Sequence, residues 1–371
     1  MLFNTWELNF SQMNIYDYLN ANEVASYIQS LPSNAIQYLG AQLFPNAQQS
    51  GTDISWLKGG QNLPVTIQPS NYDAKASIRE RAGFSKQATE MAFFRESMRI
   101  GEKDRQNLQM LLNQSLGLAQ PIITQLYDDT KNLVDGVEAQ AEYMRMQLLQ
   151  YGKFTVKSTN SEAQYTYDYN MDAKQKYTAA KTWATAAESD PVGDIIAALN
   201  DIENRTGVRP TRIVMNRNTY NDMVKSDSIK KALAMGVQGQ WQNFMVLPSD
   251  AEQFVAAKTG VQIAVYSKKI AQFADADKLP DYGNIRQFSL IDDGNVVLLP
   301  PTPVGHTWYG TTPEAFDLAT GGTNAQVQVL AGGPTVTTFK ENHPVNVVTV
   351  VSAVMIPSFE GIDYVGVIKT N

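Results

Sequence analysis

The chain contains two histidines, His306 and His343, and no cysteine. A metal site built from imidazole and thiolate groups therefore has too few ligands to close. His306 lies in GHTWYG, bounded by glycines and set among aromatic residues. To act as a general base it needs a positioned nucleophile on one side and an orienting carboxylate on the other. Asp292 and Asp293 are near in sequence, but they belong to DDGN, a hairpin-turn signature. His343, in ENHPVN, reads as a turn residue ahead of a proline. Asp128 and Asp129, with Lys131 close by, read as the solvated face of a helix. The chain has no GxxxxGK[ST] phosphate loop, no GxGxxG after a strand and no GxSxG elbow; GVQGQW at 236–241 has the wrong spacing. The residues thus nominate no catalytic, cofactor-binding or metal-binding site. In a chain this long, that points toward a structural role and away from an enzyme.

Composition limits the remaining classes. At 371 residues the chain is long enough for two or three domains, and 43% hydrophobic residues supply a proper core. A formal net charge of −7 disfavours a dedicated nucleic-acid binder, whose phosphate contacts need clustered Lys and Arg. No apolar run is long enough to cross a bilayer, and MLFNTWELNF lacks the basic start and apolar core of a signal peptide, so cytosol-like surroundings are expected. Charge is unevenly spread. Residues 1–57 hold no Lys or Arg and four acids, Glu7, Asp17, Glu23 and Asp53. Residues 58–105 hold nine basic side chains against six acids. Such a pair of segments is either plain solvated surface or two halves of a charge-matched contact between chains.

The elements that would carry these residues follow from periodicity. Residues 13–31 suggest a short helix with Val24, Tyr27 and Ile28 on one face. The Pro-, Asn- and Gly-rich stretch behind it reads as an extended arm. LPVTIQP and ASIRERAGFSKQ, joined by SNYDAK, read as a long hairpin too polar to stand alone. A helix over 102–117 carries Leu108, Leu111 and Leu112. A second helix, over about 121–150, starts near Pro121 and runs through Leu133, Val137, Ala141, Met144 and Leu148. It stops at Gly152 and passes directly into KFTV, with Arg145 and Lys153 expected as surface or inter-subunit charges. DPVGDIIAALNDIENRTG has an N-cap Asp, a Pro in the first turn and a terminal Gly. It opens a βα alternation to about residue 305: strand RPTRIVMN, one helix NTYNDMVKSDSIKKAL, and strands FMVLP, QIAVYSK and VVLLPP. The strands after 325 are expected to complete the sheet begun near residue 153.

Five stretches in this order carry a resemblance: ASIRERAGFSKQ, EAQAEYMRMQLLQYGKFTV, GVRPTRIVMNRNTYNDM, NVVLLPPTPVGHTWYGTTPEAFDL and PVNVVTVVSAVMIPSFEGIDYVGVIKT. The chain resembles the tailed-phage major capsid proteins of the Hong Kong 97 fold, with motifs most similar to the lambda-like major capsid protein E family. The resemblance implies an α+β fold in five parts. These are an N-terminal arm (1–50), an extended E-loop hairpin (51–100), a peripheral domain with a spine helix at about 121–150 (101–189), an α/β axial domain (190–324), and returning strands of the peripheral domain (325–371).

It also implies a function: self-assembly as pentamers and hexamers into an icosahedral head shell around double-stranded DNA. The implied partners are other copies of the chain, a separate scaffolding protein, a portal protein and an optional decoration protein, with no membrane. The implied location is the virion capsid, assembled in the host cytoplasm. Subunit contacts are expected from Trp56, Lys58, Arg79, Arg81, Phe84 and Lys86 in the hairpin and from Asp17 and Glu23 in the arm. An encapsulin-like compartment shares the fold and stays open as an alternative. An α/β enzyme centred on 190–305 is disfavoured by the missing motifs.

Overall fold

The computed structural model describes residues 21–30, 38–58, 85–114, 116–157, 164–234, 245–273, 285–318, 324–330, 332–343 and 345–371. Helix α1 (Ala21–Ser30) is followed by α2 (Leu39–Leu43) and strand β1 (Asn46–Gln48). Strands β2 (Asp53–Lys58) and β3 (Ser85–Glu90) pair antiparallel, and β3 continues past Met91 into β4 (Ala92–Ile100). Helices α3 (Glu102–Gln114) and α4 (Leu116–Tyr151) precede the hairpin of β5 (Lys153–Lys157) and β6 (Gln164–Asp168). Strand β7 (Lys176–Thr178) and helix α5 (Pro191–Thr206) lead into β8 (Arg212–Met215), α6 (Arg217–Lys225), α7 (Asp227–Leu233) and α8 (Pro248–Thr259). Strands β9 (Gln262–Val265), β10 (Lys269–Phe273), β11 (Ile285–Ser289) and β12 (Asn295–Leu299) come next. The remaining strands are β13 (Thr307–Tyr309), β14 (Gln326–Val329), β15 (Thr335–Asn342), β16 (Val345–Pro357) and β17 (Gly366–Lys369).

Two sheets organise these elements. The first has the order β1-β13-β16-β15-β14, with β4 also paired to β16. The second has the order β7-β17-β12-β8-β9. Helix α4 packs on the first sheet through Ala141, Met144 and Leu148, which share a core with Val351, Ala353 and Met355 of β16. Its 36 residues give a bar of about 54 Å.

The second sheet is buried on both faces. Val296 and Leu298 of β12 point into a core with Ile195, Leu199 and Ile202 of α5. Their neighbours Val297 and Leu299 join the core that holds α4. Alternation along one strand therefore binds the two halves of the molecule, and after the buried Asn295 the run VVLL is apolar throughout for that reason.

The passage from α4 to β5 is a single residue. Gly152 has φ +71, and its N–H donates to Leu148 O at 2.8 Å while its own carbonyl accepts from Tyr169 N at 3.0 Å. A Cβ here would lie 2.3 Å from Met171 Cβ. The helix needs no loop, because a left-handed residue closes its last turn and the carbonyl that follows already belongs to the neighbouring strand's environment.

Several expectations are corrected. The strands after 325 do not join β5, which pairs only with β6 among the described residues; they pair with β4 and β13 instead. The long β16 supplies thirteen residues, enough to take β15 on one side and β4 on the other. Strand β17 leaves that sheet altogether and pairs with β12 and β7. Residues 21–30 and 39–48, expected within an arm reaching outward, pack on the chain's own core through Ala21, Val24, Leu43 and Phe44. Helix α4 begins at Leu116, so Pro121 lies inside it. Residues 245–247 of FMVLP form no strand: Met245 and Leu247 are exposed, and Pro248 opens α8 as a first-turn proline. The expected single helix after residue 217 is two, because Ser226 turns the chain to donate to Ser189 O at 3.0 Å and Asp227 N reaches Ala186 O. DDGN is a turn, but its flanking strands pair elsewhere, β11 with β10 and β12 with β8 and β17.

The glycine that ends α4 and one within it separate strain from propensity. Gly152→Val should cost about 2–4 kcal/mol, from a strained φ plus the Met171 clash, and lower the urea midpoint of the unassembled subunit. Gly136→Ala, in an exposed helical position with open space at Cβ, should add about 0.5–1 kcal/mol of stability and raise that midpoint.

Candidate functional site

The residues with chemical potential meet in three places. The first surrounds His306. Its Nδ1 lies 3.4 Å from Glu360 Oε1, and the Ser358 hydroxyl donates to the same carboxylate oxygen at 2.7 Å. Trp308 Nε1 donates to Ser358 Oγ at 2.9 Å, and His306 N approaches it at 3.3 Å. Serine, histidine and carboxylate are together, but in the wrong order for nucleophile activation. The serine faces the carboxylate, whereas the base should face the serine, and Ser358 is fully buried. Its hydrogen bonds tie β13 to the end of β16.

The second place is the DDGN turn. Asp292 accepts from the Tyr151 hydroxyl, and Asp293 accepts from Asn216 and from Asn218, the latter at 3.1 Å to each oxygen. Gln150 donates to Met146 O and Leu290 O and accepts from Asp292 N at 2.8 Å and Asn295 Nδ2 at 3.0 Å. All its hydrogen-bonding groups are used, and they fasten the end of α4 to the second sheet. Burial, followed by the Asp292 contact, pushes the Tyr151 hydroxyl up to about 12. The two aspartates are thus structural acceptors, remote from any role toward His306.

The third place was not foreseen. Glu142 and Arg145 of α4 are fully buried. Glu142 Oε1 accepts from Gly40 N at 3.0 Å and from the Tyr266 hydroxyl at 2.7 Å. Arg145 Nη1 stands 3.5 Å from Glu142 Oε2, Nε donates to Thr307 Oγ1 at 2.8 Å, and Nη2 donates to Asn46 Oδ1 at 2.9 Å. Arg145 was expected at the surface or between subunits; it is instead an internal tie between α4, α2, β1 and β13. Burial and the Glu142 charge push the Tyr266 hydroxyl far above its usual range. A Glu-x-x-Arg pair looks like an ordinary exposed helix pair. The available hint was its setting among Ala141, Met144, Met146 and Leu148, which wrap the helix all round.

No group of three or more metal-ligating side chains converges among the described residues. Of the residues expected at subunit contacts, Trp56 and Lys58 lie in β2 and Lys86 in β3, in the register Trp56↔Gln87, Leu57↔Lys86 and Lys58↔Ser85. Glu23 is exposed on α1. Asp17, Arg79, Arg81 and Phe84 lie outside the described residues. The sequence reading missed Arg95 of β4, which bridges to Glu314 at 2.5 Å and covers the Phe93 ring at 4.7 Å. It also missed Phe316, a large apolar side chain left 72% exposed.

A mixed fold with a long spine helix, a separate two-stranded β2–β3 sheet, and an interior held by structural polar contacts is what a building block needs. The family model for phage major capsid protein E matches residues 20–358. The chain belongs to this family. It is a shell-forming capsid protein of the virion, assembling with other copies of itself, with the α+β fold of the Hong Kong 97 type.

Solved structures agree in fold. A phage-related protein from Bordetella bronchiseptica RB50 is similar over 97% of this chain and 98% of its own, with 14% identity and a TM-score of 0.52. A candidate capsid protein of a prophage of Escherichia coli CFT073 is similar over 95% and 99%, with 12% identity and a TM-score of 0.54. No curated protein matches this chain in sequence. In the capsid subunit, then, His306, Ser358 and Glu360 are mortar, and the Glu142–Arg145 pair is the tie at its centre.

Removing one member of that tie leaves the other charge buried. Glu142→Ala or Arg145→Ala should each destabilise the subunit by about 3–5 kcal/mol, measured by denaturation. The double change Glu142→Leu/Arg145→Met should cost clearly less than the sum of the single changes, because it removes both charges together.

Proposed function

We propose that this capsid protein builds pentamers and hexamers that close into an icosahedral head around double-stranded DNA, and that its hairpin and N-terminal residues make the contacts between copies. Membership of the capsid family over residues 20–358 carries the reading. The β2–β3 pair supports it. A lone two-stranded ribbon is marginal in water; this one rests on the chain's own core through Ile54 and Met91, and another copy would offer a surface for the remainder. On this reading Trp56, Lys58, Arg79, Arg81, Phe84 and Lys86 meet a neighbour, with Asp17 and Glu23 as acidic counterparts.

Rings of copies use repeated heterologous contacts, and closure multiplies modest contacts through high effective concentration. A net charge of −7 also suits a container for DNA, since a strongly basic wall would hold the genome and slow its release. A separate scaffolding protein, a portal protein and an optional decoration protein complete the assembly, which takes place in the host cytoplasm. The domain division is read as arm 1–50, hairpin 51–100, peripheral domain 101–189 and 325–371, and axial domain 190–324. Strand β17 is an exchange between the last two.

Negative-stain imaging of the protein co-expressed with its neighbouring genes should reveal closed shells with one portal vertex. Open tubes, or closed shells that enclose a cargo enzyme and have no portal, would sink the DNA-head reading. Deleting residues 1–20 should leave a folded subunit that fails to close shells. A longer deletion to residue 45 would also remove buried Val24, Leu43 and Phe44, so it confuses assembly with folding. Closed particles from the shorter deletion would remove the arm from the mechanism. Reversing Arg79 and Arg81 to Glu should lower assembly yield while circular dichroism and the urea midpoint stay unchanged.

A further inference from the structure

Strand β4 is an open edge of the first sheet. It pairs with β16 along its whole length, and no strand lies on its other side among the described residues. In an antiparallel ladder alternate residues turn their N–H and C=O groups away from the partner, so this side offers a row of backbone donors and acceptors. The side chains of β4 alternate as well. Phe94, Met98 and Ile100 are partly buried toward α3 and α4. Phe93, Arg95 and Arg99 are exposed on the other face. Arg95 is engaged by Glu314, whereas Arg99 makes no ion pair among the described residues. One residue interrupts the inner apolar row. Glu96 sits opposite Val351, which faces the core of α4, yet Glu96 itself is exposed. An inward-pointing charge on an edge strand rejects an all-apolar partner, so only a strand with a polar residue at that place fits.

The chain carries such a segment. Residues 2–8 read LFNTWEL, and β4 from Phe94 to Ile100 reads FRESMRI. Laid side by side in parallel, with Leu2 beside Phe94, the two rows agree on both faces. Leu2, Trp6 and Leu8 extend the inner apolar row. The residue that interrupts them, Asn4, falls beside Glu96, where its amide can donate to the carboxylate. On the outer face Glu7 falls beside Arg99. The antiparallel setting that keeps Asn4 beside Glu96 instead puts Glu7 beside Phe93 and leaves Arg99 beside Met1. The first sheet already holds one parallel pair, β1 with β13. Charge excludes the hairpin as the occupant. Its residues 58–86 carry Lys58, Lys75, Arg79, Arg81 and Lys86 against Asp73 and Glu80, and would bring like charge to Arg95 and Arg99. Residues 1–57 carry no base at all.

Reach decides which copy supplies the strand. The N-terminal end of the described chain is α1, which packs on β14, β15 and α4. Helix α4 and strand β16 stand between α1 and β4. Residues 9–20 span at most about 40 Å, and within one chain they would have to climb over α4 in that length. We propose that Leu2–Leu8 of one copy adds as a parallel strand to the β4 edge of a neighbouring copy, with Asn4 beside Glu96 and Glu7 beside Arg99 fixing the register. This rests on the shell reading above and names the surface on which the N-terminal residues lie.

The chain has no cysteine, so single thiols report without background. In the proposed register Thr5 and Ser97 stand side by side on the outer face. Neighbouring strands lie about 4.8 Å apart, a separation a disulfide can bridge. Thr5→Cys and Ser97→Cys chains are co-expressed with the neighbouring genes, and the particles are mildly oxidised. A covalent dimer should form in the mixed particles and in neither variant alone. Thr5→Cys mixed with Met98→Cys, one residue out of register and on the opposite face, should give several-fold less. Mixed shells without the dimer would overturn the contact and leave the capsid reading intact. A Thr5→Cys/Ser97→Cys chain that closes only onto itself, running as a compact monomer, would overturn the exchange between copies. A wild-type chain that builds no shells would remove the capsid reading and this contact with it. Charge reversal is an independent readout. Glu7→Arg or Arg99→Glu alone should lower the yield of closed shells several-fold, and the two together should restore it. A double variant no better than the singles would overturn the pairing.

Discussion

Burying an ion pair inside a helix bundle or sheet core is costly, and this subunit does so in the last third of its longest element. Glu142 and Arg145 together accept or donate to groups from α2, β1, β13 and the loop after β9. Apolar packing could hold these segments against α4 just as strongly, but it would tolerate sliding. Directional hydrogen bonds to two fixed charges set one register. The parallel pairing of β1 with β13, three residues long, is too short to define that register alone. The first sheet's edge and the seating of α2 both depend on this pair.

Much of the fold was legible because local rules and burial agreed. Asp190, Pro191 and Gly207 mark both ends of α5 as expected, with Asp190 capping Gly193 and Gly207 at φ +74. Gly152 announced the end of α4 for the same reason. What was not legible depended on distant partners. No periodicity reveals that β17 abandons the sheet of β16 for that of β12, since the two strands are separated by a short turn and are equally apolar. Arg145 was misread because charge spacing along a helix says nothing about what covers it. The His306 cluster reads differently in space, where Ser358 and Glu360 arrive from another strand's end and direct their hydrogen bonds inward. The hairpin strand expected at LPVTIQP lies outside the described residues, the observed pair joining Asp53–Lys58 to Ser85–Glu90 instead, and four of the eight residues expected at contacts lie outside the described residues too.

The sheet shared between two cores bears on how such a subunit carries load. Val214, Val297, Leu299 and Val367 face one core, and Ile213, Met215, Val296, Leu298 and Ile368 face the other. Gln150 and Tyr151 extend the connection with polar bonds from α4 to the DDGN turn. Relative sliding of the two halves would have to break strand alternation and a saturated side-chain amide at once. The wall element is therefore continuous, and its compliance is left to the connections at its margins.

Strand β17 also sets the timing of the subunit's life. Val367 pairs with Lys176, and Thr370 O receives Trp183 N, so one edge of the second sheet closes across about 190 residues of sequence. Contacts of such separation form slowly, because the loop entropy must be met before the pairing is rewarded. Until β17 arrives, β7 has no bridge to β12. A growing chain thus cannot complete the second sheet before residues 366–369 are made.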